Sequence, residues 1–418
     1  MTAALLRRVA GCALPDRVPP GLDAETRAAA SAIVDAVRDG GETALLAYAE
    51  RLDGWRRGSP WLYDRAALER SLQVLDREAR ACLERTAERI AAFAQGQRGA
   101  LRDMELAVPG GRAGHRVTPV DRAGCYAPAG RFPLPSSLLM TAVTARAAGV
   151  REVIVASPRP GPLMLATAAI AGADALLAVG GAQAIAALAY GVGAGACDVV
   201  VGPGNRWLTA AKQRVAGEVA IDFLAGPSEL VVVADATADP GVVAADLLAQ
   251  AEHDPDALPV LVTAEAPVID AVERELVRRL ETLPTAQTAR AALCNGFAVV
   301  CDDWSDVPAV CDRLAPEHLQ LSVADPAALA ARCRHAGAFF LGERSAEVFG
   351  DYGIGGNHVL PTGRGARFTG GLSALTFLRV QTWLELTQPA IAAGDVATLA
   401  RLEGLEAHAR AAECRLQD

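Results

Sequence analysis

Residues 153–201 read VIVASPRPGPLMLATAAIAGADALLAVGGAQAIAALAYGVGAGACDVVV, and their rhythm sets the fold class. Three short apolar runs, Val153-Ile154-Val155-Ala156, Ala175-Leu176-Leu177-Ala178-Val179 and Val199-Val200-Val201, alternate with the segments Pro162–Ala171 and Gln183–Tyr190, which suit helices. Runs that are apolar on both faces and separated by helices predict a parallel sheet covered on each side. Upstream, Ala123-Gly124-Cys125-Tyr126 opens the series and a helix is expected from Ser136 to Gly149. Downstream the pattern resumes with Leu230–Ala234, a helix from Pro240 to Glu252, Val260–Thr263, a long helix from Val268 to Leu283, and Phe297–Val300. Pro20 to Arg102 has helical spacing, Val108 to Val120 suits a hairpin, Gly363 to Gly371 reads as a loop, and two or so helices finish the chain. The expected architecture is α/β, two domains with one inserted in the other and helical ends. Its boundaries are an N-terminal arm over 1–24, a first domain over 25–125 plus 229–362, an inserted domain over 126–228, and a helical tail over 363–418.

Composition narrows the function classes. The 418 residues are 51% hydrophobic with a net charge of −9 and no basic block, which gives nucleic-acid binding no electrostatic support. No apolar run reaches the length of a membrane span, and Arg7 and Arg8 follow the opening apolar residues instead of preceding them. A soluble cytoplasmic protein is expected. Nine cysteines, an odd number with no C-x-x-C pair, predict reduced thiols and no cysteine zinc site. Cys125 is a nucleophile candidate by position, but it reads more readily as a small buried residue. Of the 40 basic residues only Lys212 is a lysine. It is read either as a group reaching for an anionic ligand or as a solvated residue that escaped codon drift.

Several segments carry residue types suited to chemistry. The turn from Tyr126 to Ser137 is rich in small residues and enters a helix, so it offers free N–H groups to an anion, or is a plain strand-to-helix loop. No G-x-G-x-x-G follows a strand, so a nicotinamide cofactor must be held some other way. Gly180-Gly181-Ala182-Gln183 and Gly202-Pro203-Gly204-Asn205 each follow a predicted strand, at the carboxyl edge where ligands of α/β folds collect. Gln250 and His253 share a face at the end of a predicted helix, able to meet one cation or simply to face solvent. Glu317-His318 pairs a carboxyl with an imidazole suited to proton transfer near neutral pH, the plain alternative being an exposed pair. Asp351 and His358 in a Gly-rich loop, and Glu403 with His408 near the end, add further donors; a Gln/His/Asp/His set suits zinc.

Taken in order, the segments VGGAQAIAALAYG (179–191), GPGN (202–205), AGPSE (225–229), DLLAQAEHDPDA (246–257), PEHL (316–319), NHVLPT (357–362) and EGLEAH (403–408) resemble the histidinol dehydrogenases. The resemblance runs from about Val34 to His408. It implies two incomplete Rossmann-like domains in an aldehyde-dehydrogenase-like arrangement, with 126–228 as the NAD side and 363–418 used in dimerisation. It also implies NAD, one zinc ion per subunit, a homodimer with shared active sites, and four-electron oxidation of L-histidinol to L-histidine, the last step of histidine biosynthesis. Carried over by motif, the zinc ligands are Gln250, His253, Asp351 and His408, which also touch substrate. Glu317 and His318 are the acid–base pair, Ser228, His318, His358 and Glu403 contact substrate, and Tyr126, Gln183 and Asn205 line the NAD site. The chain departs from the family pattern at Ala129, Gly356 and the segment Phe377–Trp383, which leaves open a paralogue acting on another polar alcohol such as a sulfonated diol. A metal- and nucleotide-binding homologue without turnover is the remaining alternative.

Overall fold

The structure is a computed structural model and describes residues 5–14, 22–129 and 133–416. Gly130, Arg131 and Phe132 of the turn after Tyr126 lie outside the described residues, as do residues 1–4 and 15–21 of the expected arm.

Two six-stranded sheets are built on one plan. In spatial order the first sheet contains Arg7–Ala10, Phe297–Val300, Leu258–Thr263, Glu229–Ala234, His318–Ser322 and Ala338–Leu341, all parallel. The second contains Leu62–Asp64, Ala175–Leu177, Glu152–Ala156, Arg122–Tyr126, Val199–Val201 and Ala220–Ile221, parallel except for its first strand. Counted along the chain, the five strands after the edge strand run 3-2-1-4-5 in both sheets. That is the doubly wound order lacking its sixth strand, so each sheet is an incomplete Rossmann unit.

The residues dictate this arrangement. Glu229–Ala234, Leu258–Thr263 and His318–Ser322 are buried along their whole length, as sheets covered on both faces require. The helices Pro135–Ala148, Pro162–Ile170 and Pro240–His253 open on proline, where the missing N–H costs nothing. Two apolar layers sandwich each sheet. Leu230, Leu247 and Ile269 lie on one face of the first, with Val231, Val260 and Leu319 on the other.

Sheet pairing redraws the expected boundaries. Arg7–Ala10, assigned to an arm, is the edge strand of the first sheet. Only Val9 and the neighbouring Leu6 are buried there, and such a strand is held mainly by backbone pairing that no side-chain pattern announces. The helices Ala24–Tyr48 and Arg77–Ala100, expected with the first domain, cover the second sheet. Val34 and Val37 pack with Leu188, and Ile90 and Ala94 share a core with Leu138 and Met140. Amphipathic spacing identifies the buried face of a helix but not its partner.

The helical tail is also corrected. Leu378–Leu386 is a nine-residue strand, antiparallel to Gly111–Pro119, which pairs in turn with Met104–Val108. The expected hairpin is present and gains a third strand. The tail ends in the helices Ala390–Leu402 and Glu406–Glu413. Among the described residues no helix is long and apolar enough to cross a membrane.

Candidate active site

The strand His318–Ser322 follows a tight turn in which Ala315 closes the preceding helix in the left-handed region, at φ 43°. The turn is pinned by the adjacent strand: Gly337 N–H donates to the Pro316 carbonyl and Ala338 N–H to that of Glu317. Glu317 and His318 are thereby held at the amino edge of the first sheet, 6% and 3% exposed, so they are not a solvated pair. The Glu317 Oε2 accepts the Ser228 hydroxyl at 2.6 Å and the Glu229 N–H at 2.9 Å. Burial nevertheless outweighs these bonds and pushes the carboxyl up to about 8.

The His318 tautomer follows from its partner. Nδ1 lies 3.0 Å from the Glu229 carbonyl, which can only accept, so Nδ1 carries the proton. Nε2 is then a bare lone pair, buried and without a hydrogen-bond partner among the described residues. Burial lowers the imidazole's pKa and keeps the ring neutral. A neutral, unpaired nitrogen beside a carboxyl that releases its proton near pH 8 is a set suited to moving protons.

Next to it lies a group of potential ligands. Gln250 and His253 come from the end of the helix Pro240–His253, and Asp351 ends the helix Glu347–Asp351. His253 Nε2 is 3.5 Å from Asp351 Oδ2, and His318 Nε2 is 4.0 Å from Asp351 Oδ1. Hydrogen bonding to Asp351 raises the His253 pKa. Burial works to raise that of Asp351, but its bond to His253, then the neighbouring imidazoles of His358, His318 and His253, hold it below the ordinary carboxylate value. Glu347 was not anticipated. It is buried, its Oε2 has no partner among the described residues, and one ligand atom each from His253, Glu347 and Asp351 fall within 4.8 Å of one another. Burial, then the charges of Asp351, Glu317 and Asp246, drives its pKa upward.

Gln250 provides the test of a metal. Its side chain is wholly buried, and neither amide atom has a hydrogen-bond partner among the described residues. Each such group costs about 1–3 kcal/mol when left unmade. A cation accepting the amide oxygen, together with His253 and Asp351, removes part of that cost, so the residues present fit a borderline divalent ion.

The second sheet meets this site with its carboxyl edge. His358 Nδ1 donates to the Asp351 carbonyl at 2.8 Å, which leaves Nε2 to accept the Ser137 hydroxyl at 3.3 Å, and Ser137 opens the helix after Arg122–Tyr126. Tyr126 Oη accepts Gly181 N–H at 3.3 Å. Gln183 is buried, its amide donating to Asp53 Oδ2 at 3.0 Å while its Oε1 has no partner among the described residues. Asp53, which the sequence reading passed over, also accepts Gly180 N–H at 2.8 Å and so fixes the turn bearing Gln183. Asn205 is exposed and caps the helix Arg206–Val215 through Trp207 and Leu208 N–H. Cys125 is fully buried and burial pushes its thiol far up, so it is an inert core residue.

The histidinol dehydrogenase family profile matches residues 20–416. The chain belongs to the histidinol dehydrogenase family. It is 45% identical to the histidinol dehydrogenase of Thermus thermophilus over 92% of this chain and 93% of that one. With the histidinol dehydrogenase of Parasynechococcus marenigrum the identity is 44%, over 92% and 90%. The crystal structure of histidinol dehydrogenase from Elizabethkingia anophelis superposes with a TM-score of 0.93 at 28% identity, covering 100% of this chain and 99% of that one.

Two of the residues that the histidinol dehydrogenase resemblance points to stand apart. Glu403 and His408 are exposed on the C-terminal helical hairpin, outside the cluster formed by His253, Glu347 and Asp351. His253, Asp351, Glu317, His318, Ser228 and His358 are brought together on the amino edge of the first sheet, facing Ser137 of the second, and Gln250 lies three residues before His253 on the same helix.

Proposed function

We propose that this chain oxidises L-histidinol to L-histidine through bound L-histidinal, passing two hydrides to two NAD. The observation that carries the reading is the bare, buried His318 Nε2 beside Glu317 and the unpaired Gln250, in a chain of this family. Gln250, His253 and Asp351 would hold zinc, with Glu347 alongside, and the ion would anchor polar atoms of the substrate and stabilise charge developing on its oxygen. Tyr126, Gln183 and Asn205 would line the NAD side, where the unpaired Gln183 Oε1 offers an acceptor to a cofactor hydroxyl or amide.

The chain's own groups then move the protons. His318 takes the alcohol proton at Nε2 as the first hydride leaves the carbinol carbon. Glu317, once ionised, takes a proton from the water that adds to the aldehyde carbon. His318, having released its first proton, accepts the hydroxyl proton of the hydrate as the second hydride leaves. The Glu229 carbonyl stays bonded to Nδ1–H throughout and steadies the imidazolium in each step. Steady-state assay should give two NADH per L-histidinol consumed. Turnover confined to another polar alcohol, such as a sulfonated diol, would reassign the substrate.

The C-terminal segment supplies the case for a homodimer. Val380, Leu384 and Leu386 alternate along their strand and share a sheet face with Leu106, and Leu399 and Leu402 on the following helix are also exposed, Leu402 by 80%. So much exposed apolar surface in one segment suits a second copy of the chain. In that dimer each subunit's Glu403 and His408 would complete the other's site, with His408 as the fourth zinc ligand. Mixing inactive His408→Ala with inactive His318→Gln should therefore restore activity that neither variant has. Failure of mixed, exchanged subunits to regain activity would place each site within one chain.

A further inference from the structure

Lys212 is 1% exposed, which overturns its reading as a solvated residue. Its ammonium pairs with Asp222, also buried, donates to the Gly202 carbonyl at 3.1 Å, and lies 5.7 Å from the centroid of the Phe223 ring. The charge is therefore matched, two of its three donors are taken and the group is closed off from solvent, so Lys212 is not a phosphate ligand. Asp222 completes the arrangement, because its Oδ2 accepts Gly202 N–H at 2.8 Å and its Oδ1 accepts Phe223 N–H at 2.7 Å. One buried ion pair thus holds both backbone polar groups of a single glycine.

That glycine opens the turn Gly202-Pro203-Gly204-Asn205. Its φ is +123°, and a Cβ there would lie 2.2 Å from the Tyr126 carbonyl oxygen, so the turn is pressed against the end of the neighbouring strand. A Cβ on Gly204 would lie 2.3 Å from Leu208, and Asn205 caps the helix that carries Lys212. The same helix reaches the segment that crosses from the second sheet to the first, where Thr209 Oγ1 donates to the Ala225 carbonyl at 2.8 Å, three residues before Ser228. A buried ion pair is by itself weak evidence for stability, since desolvation offsets much of the attraction. Here its geometry serves a turn at the strand-order reversal of the second sheet, where doubly wound folds bind ligands.

We propose that Lys212 and Asp222 are the positioning pair of the cofactor side: they fix the turn 202–205 against Tyr126 and so set NAD affinity without touching NAD or substrate. The proposal rests on the reading that NAD lies at Tyr126, Gln183 and Asn205. A lysine suits the place because a compact ammonium fits where a planar guanidinium fork needs more room.

The test uses the full-length zinc-loaded enzyme and four variants, Lys212→Met, Lys212→Arg, the double variant Lys212→Met with Asp222→Asn, and Asn205→Ser, which keeps a helix cap but removes the amide. Melting temperature, zinc content, NADH binding and separate KM and kcat values are measured. Lys212→Met should lower Tm and raise the KM for NAD by up to about tenfold, the scale of one lost hydrogen bond. Its kcat and its KM for L-histidinol should stay within about twofold of the parent, because the reacting groups are untouched. Lys212→Arg should not rescue. The double variant removes the stranded charge, so Tm should recover while the KM for NAD stays raised, Gly202 still lacking its donor; it also carries the test if the single variant fails to fold. A double variant with parental KM for NAD overturns the proposal and leaves the pair a purely structural one. If Asn205→Ser weakens NADH binding and the Lys212 variants do not, the pair alone is refuted. If none of the four changes NADH binding, the cofactor placement falls and the proposal falls with it.

Discussion

His318→Gln is expected to lower turnover by about 10²–10⁴, the usual size of a general-base contribution, with zinc content unchanged. The side-chain amide reaches the place of the buried Nε2 but carries no basic lone pair to put there. Glu317→Gln should behave differently. Its carbonyl oxygen can keep both the Ser228 and Glu229 donors, so the pocket is preserved while the water-activating carboxylate is lost. Alcohol oxidation should survive better than aldehyde oxidation, measured with L-histidinal supplied directly. Because burial keeps the Glu317 proton on until about pH 8 in the free site, the aldehyde step should rise with pH on a limb at or below that value. The limb should vanish in Glu317→Gln. Equal losses in both half-reactions, or an unchanged limb, would show that one residue does not serve the hydration step separately from the other.

What can be read from the chain, and what cannot, follows from the range of each signal. Parallel sheets announce themselves locally, since runs such as Leu230-Val231-Val232-Val233-Ala234 are apolar on both faces and bounded by turns. The shared 3-2-1-4-5 order leaves no trace, because it is a property of pairing and the two units share no visible sequence repeat. The strand Leu378–Leu386 does carry a local signal against the helical tail expected there: its leucines, Val380 and Thr382 alternate with Arg379, Gln381, Trp383 and Glu385, a period of two. The Glu317-His318 pair stands out by composition, yet its burial comes only from the strands that enclose it. Glu347 carries no signal, since a lone glutamate in a five-residue helix gains chemical meaning only when folding buries it beside His253 and Asp351. Asp53 is hidden for the same reason, lying 130 residues from the glutamine it orients. The rule that ligands gather at carboxyl edges leads to the proposed cofactor side and points away from Glu317 and His318, which sit on the amino edge of their sheet.

Chelation should abolish activity and zinc should restore it, and Gln250 makes the claim testable without any assay of turnover. Its two buried amide atoms have no partners among the described residues, and each costs about 1–3 kcal/mol when left unpaired. Gln250→Leu removes that cost at similar volume, so the metal-free variant should melt higher than the metal-free parent. The order should reverse once zinc is added. An ion that binds only the folded state stabilises it by about 2.7 kcal/mol at a hundredfold excess over Kd, and the variant has lost one of the groups that provide this gain. Hence the parent should gain Tm with zinc while Gln250→Leu gains little, and the two melting curves should cross as zinc is titrated. A structural glutamine with no ion to bind would give no such crossing, because its replacement would shift both curves alike. A fully active preparation with no bound metal, or a Gln250→Leu variant with the parent's zinc-dependent gain, would remove the metal from this site. The crossing also separates the two donors on this helix: His253, partly exposed and bonded to Asp351, has a partner without the ion, so its replacement should lower the melting point in the metal-free state too.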